Sequence, residues 1–356
     1  MRVIAVPNFG NYSIAFAAAA ESLGIPSWIQ ITTTPETVRL GTEAAPETTC
    51  LPFKVFLGHF IKAAREGVSY GVMVNSIGTC RLKYYRLLQQ QIIDQMGLNM
   101  RIFGLGYDGI KPEIIRYFNP SFFTFAKGVL HALLKMKVID LLELLSWRTR
   151  AREINRGDTT RLMKQCLKEL HASKTIRETG RLKKSVASLF KKIPVDRRKV
   201  PLKVCLVGEA TMLRDPYLNH NIEELLGGLG VEVFNTFLLG HVLRKVFSLD
   251  SFNKYSTRYM MKLARPYMKV PLGGHALDSV ANTIRSARDG YDGVIHICPA
   301  GCMAEISVRP ILRKICKDYS LPLLEFSLDE HTSHVGLVTR LEAFMDILID
   351  KKRRGN

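Results

Sequence analysis

The stretch Gly293-Val294-Ile295-His296-Ile297-Cys298-Pro299-Ala300-Gly301-Cys302-Met303-Ala304-Glu305 decides how this chain is read. An apolar run opened by glycine predicts a buried strand over 293–298, and Pro299-Ala300-Gly301 breaks it. A helix is expected from Ala304 to Tyr319. The stretch from Gly71 to Tyr85 has the same plan of strand, glycine turn, cysteine and helix. In an open α/β sheet the carboxyl ends of the strands form one rim, and chemistry is done there. Both cysteine segments fall on such a rim.

Working outward, strands are expected at 3–6, 28–31, 71–76 and 100–105, with helices at 13–23, 53–66 and 82–96 between them. The polar stretch 32–50 reads as a loop. The pattern restarts with strands at 203–207, 231–235, 293–298 and 321–326 and helices at 219–229, 276–288, 304–319 and 335–348. Residues 237–268 read as interrupted helix. Strands alternating with helices predict parallel sheets with crossover helices. The fold class is therefore α/β, as two Rossmann-like domains over 1–110 and 201–356. Residues 111–200 carry almost no strand signal and form a helical insert and linker. The two halves are alike in plan, without a residue-level repeat.

The 356 residues suffice for two domains with sizeable cores. Hydrophobic residues make up 47% and charged residues 23%, both ordinary for a globular protein. Arg2 is followed directly by a strand pattern, so no signal peptide is read and a cytoplasmic location is expected. The apolar stretch 122–147 is interrupted by Lys127, His131, Lys135, Lys137 and Asp140, which excludes a membrane span. Seven cysteines, an odd number, do not form a complete disulfide framework. Net charge is +19, and residues 148–203 hold eighteen Lys/Arg against five Asp/Glu, or +13. That excess reads as a solvated helical face or as a docking surface for an acidic protein, a phosphate-rich cofactor or nucleic acid. No aromatic residue interleaves the basic ones from 148 to 188, which argues against nucleic acid.

Thiols gathered from distant segments on one rim can hold a metal or an iron–sulfur cluster. Cys80 follows a glycine turn at Gly78, where a helix N-terminus and Arg81 favour the thiolate; a small buried thiol is the alternative. Cys298 and Cys302 repeat that arrangement, and Gly301 permits a bulky group to approach. Cys50 precedes Pro52 at the start of a helix. Cys166, Cys205 and Cys316 lie among apolar positions and read as core thiols. Glu330 and His331 lie beyond a strand and serve either acid–base chemistry or helix capping. Glu209 holds the equivalent rim position after the first strand of the second unit. Gly273-Gly274-His275 before a helix either receives a phosphate or is a plain turn. Neither a G-x-x-x-x-G-K-[ST] loop nor a G-x-G-x-x-G opening a helix is present, so nucleotide hydrolysis is not expected.

Several segments fall in a familiar order. They are Glu47-Thr48-Thr49-Cys50-Leu51-Pro52-Phe53-Lys54-Val55-Phe56-Leu57-Gly58, Gly78-Thr79-Cys80-Arg81-Leu82-Lys83-Tyr84, Val207-Gly208-Glu209-Ala210, Gly273-Gly274-His275 and Pro299 to Glu305. Asp329-Glu330-His331-Thr332 and Thr339 to Phe344 follow. Together they resemble the acyl-CoA dehydratase activase-related family, within the wider group of 2-hydroxyacyl-CoA dehydratase subunits and double-cubane cluster proteins. The resemblance covers nearly the whole chain apart from the basic helical middle.

It implies two domains facing a cleft that holds a [4Fe–4S] cluster or a related double-cubane cluster. Cys50, Cys80 and Cys302 match the family's cluster ligands and leave one iron open. Glu209, Glu305, Glu330 and His331 are then the proton-handling candidates, with Gly78, Gly274, His275 and Gly301 lining the cofactor. The implied partners are a separate actin-like ATPase activator with its own iron–sulfur cluster, a homologous subunit or a second copy, and a small-molecule or CoA-ester substrate. The basic middle is a candidate for docking the activator. Two departures stand out. Ala304 replaces the family's usual proline, and Cys298 lies outside the shared pattern, where a fourth ligand would close the open iron. The expected function is an ATP-dependent reductase or dehydratase component. Its alternatives are a non-catalytic electron carrier or scaffold with a fully ligated cluster, and a metal-free CoA- or nucleotide-binding α/β protein.

Overall fold

The computed structural model describes residues 3–30, 32–74, 80–105, 113–246 and 256–355. The first segment runs β1 (Ile4–Val6), α1 (Ser13–Glu21), β2 (Ser27–Ile29), α2 (Pro35–Ala44), α3 (Leu51–Arg65) and β3 (Tyr70–Val74). A 3₁₀ turn (Arg81–Tyr84), α4 (Tyr85–Gln95) and β4 (Arg101–Leu105) complete it. The middle is helical, with α5 (Glu113–Phe118), α6 (Phe122–Arg150), α7 (Asp158–Ala172) and α8 (Ile176–Lys191). The last segment opens with β5 (Leu202–Gly208), α9 (Ala210–Arg214), α10 (Ile222–Gly228), β6 (Val231–Asn235), α11 (Leu239–Val246) and α12 (Thr257–Ala264). It closes with α13 (Ala276–Arg288), β7 (Gly293–Pro299), α14 (Met303–Asp318), β8 (Leu323–Leu328) and α15 (His334–Gly355).

Each half holds a four-stranded parallel sheet, ordered β2-β1-β3-β4 in the first and β6-β5-β7-β8 in the second. The two orders are the same permutation, so the likeness in plan extends to strand topology. In both sheets the order reverses beside the first strand, and ligands of open α/β sheets sit at such switch points. Cys80 follows β3 at the first switch; Glu209 and Cys302 follow β5 and β7 at the second.

The stretch 32–50, expected as a loop, contains α2. Its start is fixed locally. The Thr34 hydroxyl accepts the Thr37 N–H, the Thr37 hydroxyl accepts the Thr34 N–H, and Pro35 occupies the first turn. Thr37, Val38, Leu40 and Gly41 then bury one face. The density of Thr, Pro and Glu, which reads as loop, is here a helix start.

The helical middle is built by periodicity. Thr159, Met163, Cys166 and Leu170 line the buried stripe of α7; Thr179, Leu182, Val186 and Phe190 line that of α8. The basic residues of both helices occupy the opposite, exposed faces. At 1.5 Å per residue, the 29-residue α6 is about 44 Å long. It packs on α1 of the first half and on β6 of the second. One apolar core accordingly runs from Tyr12 and Ile14 through Ile139 and Leu142 to Val204 and Ile295.

Polar contacts tie the halves as well. Asn8, after β1, donates to Thr33 (2.8 Å) and to Asp215 (3.1 Å), and Thr33 donates to Asp215. The Asp215 carboxyl is fully buried, and burial pushes its pKa up to about 6 despite the Thr33 hydroxyl. Tyr12 donates to Asp140 (2.5 Å), and Arg214 pairs with Glu223 (2.5 Å) and Glu143 (3.6 Å). Among the described residues no helix is long and apolar enough to cross a membrane.

Candidate functional site

Three of the cysteines that the sequence singles out hold the same structural position. Cys50 caps the N-terminus of α3, Cys80 that of the 3₁₀ turn leading into α4, and Cys302 that of α14. All three have extended backbone, with φ/ψ of −75/157°, −67/131° and −75/105°. Each residue therefore stands where its segment turns into a helix, on the rim that carries both switch points.

The segments meet across the boundary between the halves. The Arg81 guanidinium donates to the Thr48 carbonyl (2.9 Å) and, through its other terminal nitrogen, to the Gly301 carbonyl (2.7 Å). One side chain, adjacent to Cys80, thereby grips the approach to Cys50 and the residue before Cys302. Gly274 closes the space on the C-terminal side. A Cβ there would lie 3.2 Å from the Ala304 Cβ and 3.8 Å from the Cys80 Sγ, and its φ of +64° also favours glycine. Gly301 has φ +76° with open space where a Cβ would go, so its requirement is conformational rather than steric. Gly78 lies outside the described residues.

All seven cysteines are free thiols; Cys50 and Cys302 are each 9% exposed and Cys80 is half-buried. Burial pushes the Cys50 thiol up to about 11, and the Tyr85 hydrogen bond only partly offsets this. Cys302 is pushed up further, by burial and then by the nearby carboxyls of Glu209 and Glu305. Two pKa units correspond to about 3 kcal/mol against the thiolate. A helix N-terminus returns only about 0.3–1 kcal/mol, so desolvation wins. A bare thiolate is disfavoured here. A bound cation inverts that balance, because a coordinating thiol is deprotonated outright.

Other groups complete the surroundings. Glu209 caps α9, accepting the Met212 N–H (3.0 Å) and the Thr211 hydroxyl (3.2 Å). Burial raises its carboxyl above the usual range. Tyr85, the first residue of α4, is buried with its hydroxyl against the Cys50 Sγ. Lys54, one turn beyond Cys50, pairs across the halves with Glu330 at 2.5 Å. Burial alone would raise Glu330, but the Lys54 hydrogen bond and charge hold it below the usual carboxylate range. His275 caps α13, its ring edge-on to Phe237 at 5.1 Å and its Nδ1 3.9 Å from Asp278. A cavity of about 100 Å³ lies beside it, walled by Gly208, Phe237, Met260 and Gly274.

The remaining candidates sit elsewhere. Glu305 is fully buried behind Cys302, where its carboxylate meets His296 Nε2 (2.9 Å) and accepts the Ser279 hydroxyl (2.9 Å). Among the described residues, the other Glu305 oxygen and His296 Nδ1 meet no hydrogen-bond partner. His331 is exposed and donates its backbone N–H to Asp329 (3.0 Å). Cys298 is enclosed within β7, its thiol donating to the Phe326 carbonyl at 3.6 Å. Tyr85 and Lys54 are site residues to which sequence reasoning assigns no role, and Arg81, read as a charge beside Cys80, instead spends its guanidinium on the Thr48 and Gly301 carbonyls. Lys54 alone carries a usable signal, standing four residues after Cys50 on the same helical face.

Among the described residues no group of three or more His, Cys, Asp or Glu is set out to hold a metal ion. The Cys50, Cys80 and Cys302 segments supply a different kind of donor set. It offers three soft thiols at one seam, and a cubane takes its thiolates at separate iron corners.

Comparison with curated proteins finds no match. The family described as 2-hydroxyglutaryl-CoA dehydratase, D-component, matches residues 131–348, more than half of the chain. The match takes in the C-terminal half, as the motifs led one to expect, and also the basic helical middle, which they did not; residues 1–130 lie outside it. Cys302, Cys298, Glu209, Glu305 and Glu330 fall inside it; Cys50 and Cys80 fall outside. By this match the chain belongs to the 2-hydroxyglutaryl-CoA dehydratase D-component family.

Proposed function

We propose that the protein is an iron–sulfur component of the 2-hydroxyacyl-CoA dehydratase or reductase type. Cys50, Cys80 and Cys302 would hold a [4Fe–4S] cluster, with Cys298, turned to Phe326, left out of the ligand set. The observation that carries this reading is the Arg81 fork, which brings all three cysteine segments to one place. A cluster with three protein ligands supplies an open iron and a low-potential electron.

The chain's own residues would do the rest. Arg81 fixes the spacing of the thiols by holding the loops that carry them. Glu209, its carboxyl raised by burial, keeps its proton to higher pH than an ordinary glutamate and stands ready to give it to a substrate oxygen. The Lys54–Glu330 pair adds no net charge while bridging the two rims. The cavity beside His275 gives a small acyl group room next to the centre. The electron would come from a separate actin-like ATPase activator with its own iron–sulfur cluster. The basic faces of α7 and α8 offer that partner a docking surface, and the substrate class is a small CoA ester. A homologous subunit or a second copy would complete the assembly.

Anaerobic reconstitution with iron and sulfide tests this. Wild-type protein should retain iron through gel filtration, and Cys80→Ser and Cys302→Ser should retain far less. Wild-type iron content in both variants would count decisively against the reading.

A further inference from the structure

Tyr85 is the first residue of α4 and only 6% exposed. Its ring is held edge-on by Phe53, with centroids 4.8 Å apart and planes at 85°. Phe53 lies on the first turn of α3, directly after Cys50 and Pro52. The two helix starts therefore clamp the phenol so that its hydroxyl meets the Cys50 Sγ. Among the described residues no side-chain hydroxyl is recorded on Cys80 or Cys302, so the three sulfurs are not equivalent. A ligating thiolate has no proton of its own, so in this contact the phenol O–H is the donor.

We infer that Tyr85 tunes the electron affinity of the centre through its hydrogen bond to Cys50. The inference rests on the cluster reading above. An O–H donated to a ligating thiolate withdraws electron density from the sulfur and weakens its donation to iron. That favours the more negative, reduced state, and such hydrogen bonds are among the protein's levers on cluster potential. Tyr85 acts through Cys50 and touches no substrate, so it is a positioning residue. Removing its hydroxyl should make the centre harder to reduce.

The test compares reconstituted wild-type protein with Tyr85→Phe by EPR-monitored redox titration, with the exposed neighbour Tyr84→Phe as control. Tyr85→Phe should bind iron like wild type and shift the reduction equilibrium about tenfold toward the oxidised form. For one electron that is about 59 mV more negative; Tyr84→Phe should not shift. Equal midpoints at equal iron content overturn the role of Tyr85 and leave the cluster reading standing. Absence of iron from wild type overturns both. If Tyr85→Phe folds but loses iron, wild-type protein carrying ring-deuterated tyrosine decides by electron–nuclear double resonance. A deuterium coupling to the reduced centre supports the inference, and its absence overturns it.

Discussion

Lys54 and Glu330 show how one pair of side chains can join two halves of a molecule. Their side chains are 10% and 15% exposed, so neither charge is well served by water. Lys54→Met would leave Glu330 half-dry and unpaired, and should cost about 2 kcal/mol in urea unfolding. The sign of the pH dependence follows from the depressed Glu330 carboxyl. Its stabilisation is present above the ordinary glutamate value and lost as pH falls through the folded value. The difference between wild type and Lys54→Met should therefore shrink toward pH 3; a difference that grows in acid would refute the pairing. At this scale the sequence is only partly legible. Cys50, Cys80 and Cys302 can be picked out as candidates, because a thiol after a strand or before a helix turn is visible locally. Their neighbours do not. Tyr85 meets Cys50 across 35 positions, Arg81 meets Gly301 across 220, and Lys54 meets Glu330 across 276. Such contacts exist only once the two sheets are apposed.

At the scale of elements, α2 and the Arg81 turn make separate claims. The α2 start depends on a reciprocal pair of threonines, so Thr34→Ala should cost about 1 kcal/mol, measurable as a lowered urea midpoint. Arg81→Met should matter less for global stability, because its bonds lie at the surface. It should instead raise amide hydrogen exchange at 48–50 and 300–302 together. Faster exchange in only one of those loops would contradict the fork. The strands were legible as apolar runs between glycine and proline, and α7 and α8 as apolar stripes at helical spacing. The α2 helix was not, because capping residues and loop residues are drawn from the same set. Only the burial of Thr37, Val38 and Leu40 separates the two cases.

For the molecule as a whole, buried carboxyls at the junction between the halves set a pH dependence opposite to that of Glu330. Asp215 has its folded value raised to about 6 and Glu143 to about 7, in both cases chiefly by burial. The fold prefers their neutral forms. Their contribution is complete below pH 4 and lost as pH rises from about 4 to 7. Asp215→Asn cannot titrate. It should destabilise by about 1–3 kcal/mol at pH 5, where its amide meets the donors of Asn8 and Thr33, and by clearly less at pH 7.5. Thermal melting of both proteins at the two pH values checks this, and a penalty that increases with pH would refute it. The parallel sheets and the helical middle were foreseeable from alternation and charge. The continuous core was not, since no local pattern says that α6 lies against both halves.

That long helix works as a splint. Its apolar side is committed at one end to α1 and at the other to β6, within a single close-packed interior. A hinge between the sheets would have to strip one of those faces and hydrate it, a far larger cost than rotating two domains about a free linker. The junction between the two sheets thus behaves as a fixed joint rather than a hinge.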